Sequence, residues 1–313
     1  MNEFSIIKKY FSKLSKKNKG AFNLKDDIFF DYKNKIGISV DTYVEKTHFL
    51  NFENPGLIIK KVLRSSISDL ICKGIKPQYY FIAFSGNKKH LTKNNLAKIS
   101  LALKQEQKKY KILLSGGDTT VAEKLSITLT VVGYSKRLPI LRSGAKLNDD
   151  IYVTNTIGDS FLGLNILKKK IILNKKNRDY FINKFYHPNI PSNFSKKMHL
   201  FANSSIDISD GFFQDLSHIL SNSNFSSDII VNKIPISNYL HTYLKKIKKD
   251  MLKFISNGDD YQILFTACKN KRSLIKKISR ATHTKVSLVG IIKKKSADDS
   301  LKIFKYPGYI HKF

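Results

Sequence analysis

Acidic residues are scarce in this chain and oddly placed. Against 56 Lys and Arg there are 24 Asp and Glu, yet several aspartates stand at the ends of apolar runs. Asp26 and Asp27 precede Ile28-Phe29-Phe30, and Asp41 closes Ile36-Gly37-Ile38-Ser39-Val40. Asp118 follows Ile112-Leu113-Leu114-Ser115-Gly116-Gly117, Asp207 and Asp210 flank Ile208-Ser209, and Asp69 lies in a helical run after Ile67-Ser68. Aspartate disfavours strands, so each placement calls for a reason. Taken singly, each is explained by a cap or a turn, as Asp210-Gly211 before Phe212-Phe213 can simply start a helix. Taken together they read as a cluster. Two carboxylates ~5 Å apart at an effective dielectric of ~20 repel by about 3 kcal/mol, so a cluster persists only if protonated or bridged by cations. All-oxygen ligands select Mg²⁺ over zinc, and Mg²⁺ held by carboxylates usually serves phosphate chemistry.

The segment Ser115-Gly116-Gly117-Asp118-Thr119-Thr120 fits that chemistry. It reads as a turn after a strand, in which the glycine N–H groups cradle an anion and Asp118 holds the bridging metal. An ordinary tight turn is the other reading. The chain has no Gly-x-x-x-x-Gly-Lys-Ser/Thr loop and no protein-kinase signature set, so those routes to ATP are closed.

The elements that must position these residues follow from hydrophobic period. Residues 4–14, 56–73 and 94–109 have helical spacing, and Gly74 and Pro77 end the second of these. Residues 35–40, 78–85, 111–114 and 126–134 read as strands. A turn-rich loop, 141–150, is the preferred boundary between units 1–140 and 141–313. Beyond it, strands are expected near 151–155, 204–208, 228–234, 261–267 and 285–292, with helices near 160–170, 211–222 and 271–280. Strands and helices interleave irregularly, which favours α+β over a doubly wound parallel sheet.

Composition bounds the function classes. With 313 residues and 42 % hydrophobic content the chain is long enough for about two cores. The net charge of +32 raises nucleic acid as a partner. The lysines are spread in short runs such as 168–170 and 293–295, which reads as a generally basic surface and no dedicated nucleic-acid site. No apolar run approaches the ~18–20 residues of a membrane span, and the start, Met1-Asn2-Glu3-Phe4, has no secretory pattern. Cys72 and Cys268 exclude a disulfide framework and a cysteine zinc cluster, and fit a reducing cytoplasm.

In order and spacing the chain resembles the thiamine-monophosphate kinase family, within the superfamily of aminoimidazole ribonucleotide synthetase and selenophosphate synthetase. The resemblance begins at Glu3–Ile7 and runs through Asp26-Asp27, Ser39–Thr42, His48-Phe49, Ser68-Asp69-Leu70 and Gly116–Thr119. It continues through Arg142–Lys146, Asp207–Gly211, Gly258–Tyr261 and Tyr306-Pro307-Gly308. It implies the two-domain α+β fold of that superfamily, with a mixed-sheet N-terminal domain and an α/β C-terminal domain. It implies transfer of the γ-phosphoryl of ATP to thiamine monophosphate, in a cytoplasmic homodimer joined through its N-terminal domains. By the same resemblance several Mg²⁺ ions fall to Asp27, Ser39, Val40, Asp41, Asp69, Asp118, Asp207 and Asp210. ATP falls to Gly117, Asp118, Arg142 and Ser209, and the thiamine phosphate to His48, Asp259 and Tyr306. No acid or base is assigned, because the acceptor phosphate oxygen is already ionised at neutral pH.

The chain departs from the family pattern in places. Lys25 stands for a glycine, Ile28 for a small residue, Ser66 for asparagine and Asp259 for glutamate. Two other readings stay open: a related ATP-dependent enzyme of the same superfamily with another small acceptor, and a basic nucleic-acid-binding protein.

Overall fold

The structure, a computed structural model, describes residues 3–295 and Gly308. Its strands are β1 (Phe29–Asp31), β2 (Ile36–Val44), β3 (Lys76–Gly86), β4 (Leu113–Val121), β5 (Ser126–Tyr134), β6 (Asp150–Thr154), β7 (Ala202–Asp207), β8 (Ser226–Ile229), β9 (Ile263–Ala267) and β10 (Val286–Lys293). Its α-helices are α1 (Glu3–Ile6), α2 (Pro55–Cys72), α3 (Lys93–Tyr110), α4 (Asp159–Leu167), α5 (Lys175–Tyr186), α6 (Ser192–Ser195), α7 (Phe212–Ser223), α8 (Asn238–Ile247), α9 (Leu252–Ile255) and α10 (Arg272–Ala281).

The strands form two five-stranded sheets, β1-β2-β5-β3-β4 and β7-β9-β6-β10-β8. The first is mixed, because β4 runs parallel to β3 while the other pairs are antiparallel. Its inner face packs on α2, and the alternation in β5 is clean: Ile127, Leu129 and Val131 are buried while Thr128, Thr130 and Val132 are only part-covered. The second sheet is antiparallel throughout. This is the expected α+β architecture. Among the described residues no helix is long and apolar enough to cross a membrane.

Helix α2 is the hub. Pro55 occupies its first turn, where a missing N–H costs nothing, and Gly74, at φ 74°, turns the chain away. Ile59, Leu63 and Ile67 of α2 share one core cluster with Tyr152, Phe194 and Phe265 from around the second sheet. The helix is therefore buried on nearly all sides, and the polar residues buried on it need partners.

Some expectations change. Residues 115–120 do not form a turn; they continue β4, with a bulge at Ser115, opposite Tyr80/Phe81, after which Gly116 and Gly117 pair with Phe81 and Ile82. The strand expected at 228–234 stops at Ile229 and gives way to a 3₁₀ turn at Val231–Lys233. The N-terminal helix passes into a π turn at Ile7–Phe11. Helices α5 and α8 went unread, because α5 buries only Phe181, Phe185 and Tyr186 of an otherwise polar sequence and α8 only Leu240 and Leu244.

The aromatic centre of the second sheet gives a direct check of this packing. Phe265 stacks on Tyr152 at 5.1 Å and meets Phe194 and Phe201 at 5.7 and 5.5 Å. Truncation to Phe265→Ala is expected to cost about 3–5 kcal/mol in urea denaturation. A loss below about 1 kcal/mol, the scale of a surface change, would contradict this core.

Candidate active site

The aspartates of the first sheet and those of the second meet at the seam between them. Asp41 lies on the inner face of β2 with Ser39 and Tyr43, against α2. Tyr43 Oη donates to Asp41 Oδ2 at 3.3 Å, and Ser39 Oγ donates to the Ser66 carbonyl at 3.3 Å. Asp69 projects from α2 into the same space. Asp207 ends β7 at 2 % exposure, and Asp210 follows one turn later.

Their electrostatics record the convergence. Burial, then repulsion from Asp207, pushes the Asp41 carboxyl up to about 6. Burial, then Asp207 and Glu3, pushes Asp210 up to about 7. Asp69 is raised well above the usual range by burial and by Asp41 and Asp207, with Lys73 opposing. Burial also raises Asp207, against the pull of Ser68, Lys73 and Arg142. Asp207 Oδ2 and Ser68 Oγ are buried without a hydrogen bond of standard geometry among the described residues, although the serine is near enough to hold the carboxyl down.

Beside this cluster sit Asp26 and Asp27. The Arg142 guanidinium forks onto Asp27, with Nε 3.0 Å from Oδ2 and Nη2 on Oδ1. The Arg142 backbone N–H donates to Asp26 Oδ2 at 2.9 Å. Lys73 Nζ lies 2.9 Å from Asp26 and 3.3 Å from Asp27. The departure at Lys25 leaves an exposed side chain, and Ile28 is buried in the core.

Two of the residues expected to meet substrate, His48 and Asp259, border this cluster through Tyr43 and Ser209. Gly258 and Asp259 both have left-handed backbone, φ 60° and 63°, and a Cβ at Gly258 would lie 1.9 Å from the Ser209 carbonyl. That close approach lets Asp259 N donate to Ser209 O at 2.8 Å and Tyr261 N to Ile208 O at 2.8 Å. The Asp259 carboxylate pairs with Lys61 at 2.9 Å and accepts from Tyr261 Oη at 3.1 Å. His48 meets Tyr43 edge-on at 5.7 Å, and its Nδ1 accepts from Val44 N at 2.9 Å. Tyr306 lies outside the described residues; Gly308 abuts the Asp210 carbonyl and Gln214.

Gly117 and Asp118 stand apart. The pairings Asp41↔Leu129, Leu129↔Ile82 and Ile82↔Gly117 form one row across the sheet. At ~4.8 Å per strand, that row puts β4 roughly 14 Å from Asp41. Asp118 pairs with Ala83, and Ser85 Oγ meets Thr120 Oγ1 at 2.8 Å, so Asp118 shares the outer face with those residues. Val40, 61 % exposed, is on that face too. All of β4 is exposed.

Several residues of the site were missed from sequence: Lys61, Lys73, Asp215 and His218. Asp215 Oδ2 accepts from the Asp210 and Gly211 N–H groups at 3.2 and 3.0 Å and so fixes the loop that aims Asp210. Possible ligand atoms of Asp210, Asp215 and His218 lie within 4.8 Å of one another. Burial, Arg142 and Lys73 hold His218 down to about 4, and thus neutral. Lys61, Ser65, Asp69 and Lys73 recur every four residues and form a stripe along α2, but Lys60, Arg64, Ser66 and Ser68 lie between them, so the spacing alone does not mark the two lysines. A cavity of about 780 Å³ elsewhere, lined by Lys76, Lys109, Lys111 and Lys196 among others, holds none of the predicted site residues.

Residues 25–135 match the family model for AIR synthase related protein, N-terminal domain. The thiamine-monophosphate kinase of Buchnera aphidicola (from Acyrthosiphon pisum) is 36 % identical over 99 % of this chain and 98 % of its own length. That of Escherichia coli K12 is 33 % identical over 84 % of this chain and 82 % of its own. Among solved structures, AaThiL complexed with AMPPCP and TMP superposes with a TM-score of 0.87 at 26 % identity, covering 99 % of this chain and 97 % of that one.

The raised carboxyls predict a pH signature. The folded chain keeps protons on Asp41 and Asp210 at pH values where the unfolded chain, near 3.8, has lost them. Their stabilising contribution is complete below that value and is lost as pH rises through about 6 and about 7. In chelating buffer, Asp41→Asn is expected to raise Tm near pH 8, by about 2–4 °C per kcal/mol of relieved repulsion, and to raise it by clearly less near pH 5, where the contribution is only partly lost. An equal shift at both pH values in a thermal melt would contradict the cluster.

Proposed function

The chain belongs to the thiamine-monophosphate kinase family, and from that premise we propose that it transfers the γ-phosphoryl group of ATP to thiamine monophosphate, giving thiamine diphosphate. The observation that carries the reading is the meeting of Asp41, Asp69, Asp207 and Asp210 at the seam, more carboxylate than Lys73 and Arg142 can neutralise.

The residues fit divalent cations. The donors are carboxylate oxygens, as Mg²⁺ requires, and Asp207 Oδ2 is a buried acceptor without a hydrogen bond of standard geometry among the described residues. We assign Mg²⁺ to Asp41, Asp69, Asp207 and Asp210, with Ser39 supporting Asp41 from the same face; Asp27, expected among the ligands, has both oxygens engaged by Arg142 and Lys73. Bound there, the ions would neutralise the charge that builds on the transferring phosphoryl group.

The chain's own groups do the positioning. Arg142 carries a planar fork, already engaged in a bidentate pair with Asp27, whose geometry equally matches phosphate oxygens. Ser209 borders the nucleotide side, tied through its carbonyl to Asp259. The Asp259 carboxylate, held by Lys61 and Tyr261, suits the cationic ring of thiamine. The aromatic pair of His48 and Tyr43 offers ring surface beside it. Holding donor and acceptor in line is the main catalytic contribution, with no general base needed.

A homodimer through the N-terminal unit (1–140, with 141–313 as the second) completes the proposal, at work in the cytoplasm. Its support is the outer face and edge of the first sheet, where Phe81 is 40 %, Leu113 59 % and Val121 93 % exposed. That face carries Asp118, so a second copy is what would bring its carboxylate to nucleotide.

A coupled assay of ADP release tests the substrate: release should depend on thiamine monophosphate, and equal rates without it would reject this acceptor. Asp207→Asn should lower kcat by about 10²-fold or more while the fold persists by circular dichroism. An unchanged rate would remove the carboxylate cluster from the mechanism. Phe81→Glu should convert a dimer to monomer in sedimentation velocity, and a monomeric wild type would set the dimer aside.

A further inference from the structure

Lys73 caps the C-terminal end of α2 and has no exposed surface. A lysine withdrawn from water keeps its charge only if oxygens replace its hydration shell. Here three do: Asp26 Oδ1 at 2.9 Å, Asp27 Oδ2 at 3.3 Å and the Ser205 carbonyl at 2.8 Å. An ammonium has three N–H donors, so each is matched and none remains for a substrate phosphate. Two carboxylates and a backbone carbonyl are also the kind of all-oxygen shell that a hard cation takes. The oxygens come from the segment before β1 and from β7 of the second sheet, so the ammonium sits in the seam itself. It faces the metal cluster too, since its charge acts on Asp69 and Asp207.

We propose that the Lys73 ammonium is a resident cation of the phosphate site, standing between Asp26 and Asp27 where a divalent ion would otherwise bind, so that the chain loads one fewer divalent ion with nucleotide. The proposal rests on the metal reading given under Proposed function. The two cations exclude each other. Mg²⁺ needs oxygens at about 2.0–2.1 Å, and the shell around Nζ is at 2.8–3.3 Å. Nor can the lysine swing aside. Its backbone N–H donates to Leu70 O at 3.2 Å, its carbonyl accepts from Ile140 N at 3.1 Å, and its side chain is enclosed. A fixed ammonium keeps Asp26 and Asp27 in place before any metal arrives. It leaves Asp41, Asp69, Asp207 and Asp210 as the groups that exchangeable ions must satisfy.

Counting bound Mn²⁺ tests this. Wild type, Lys73→Met and Lys73→Arg, as full chains with a non-hydrolysable ATP analogue, are titrated with Mn²⁺ and the free ion is read by electron paramagnetic resonance. Lys73→Met, which keeps the stem and loses the charge, should bind one more Mn²⁺ per chain than wild type. Lys73→Arg should keep the wild-type count. In thermal melts Lys73→Met should lose Tm in chelator and recover it with Mn²⁺. Equal, non-zero counts in wild type and Lys73→Met overturn the resident cation alone. A wild-type count of zero overturns it together with the metal reading. Lys73→Met that stays unfolded even in Mn²⁺ also overturns it, because the metal then fails to replace the ammonium.

Discussion

Repulsion between partly desolvated carboxylates is the constraint on which the rest of this molecule depends. Asp41 and Asp69 approach from the first sheet and its helix, and Asp207 and Asp210 from the second. No arrangement of these side chains is favourable at neutral pH without counter-charge. The protein supplies part of it through Lys73 and Arg142, both directed at Asp26 and Asp27. The shortfall is the feature on which the proposed metal site rests.

Helix α2 converts this local problem into an architectural one. It is packed on its apolar sides by both sheets, so it cannot shift without disturbing two cores. Along it, Lys61 reaches Asp259, Asp69 enters the acid cluster and Lys73 joins Asp26 to Ser205. One rigid element therefore sets the spacing between Asp259 and the acid cluster. Phosphoryl transfer asks for that kind of fixed geometry more than for a strong acid or base. Lys61 shows the same economy at the other end of the stripe. Its ammonium lies 3.6 Å from the centroid of Phe185 and donates to the Phe185 carbonyl, so α5 helps hold the residue that orients Asp259.

The basic surface and the acidic site are consistent with each other. A chain with net charge +32 draws anionic nucleotide and phosphate ester towards it from all sides. The acids, few in number, are concentrated where metal would be needed. Charge alone suggests nucleic acid as a partner; the placement of the minority charge points to small phosphorylated ligands.

By itself, the sequence determined what depends on near neighbours along the chain. The span of α2, expected at 56–73 and found at Pro55–Cys72, and that of β5, 126–134, follow from hydrophobic period, proline and glycine. So does the presence of aspartates against apolar runs, visible without coordinates; the expected strand ends hold for Asp207, whereas Asp41 and Asp118 lie inside β2 and β4. Tertiary structure alone decided which of them meet. Asp118 reads like its fellows in sequence, but a strand's facing is set by pairing register, and β4 turns it to the outer face. Gly116 and Gly117 read as a turn, yet parallel pairing with β3 draws them into a strand. Lys61 and Lys73 look like any of the many lysines until packing of both sheets on α2 buries them. Register and burial are properties of contacts between segments far apart in the chain, and no local pattern carries them.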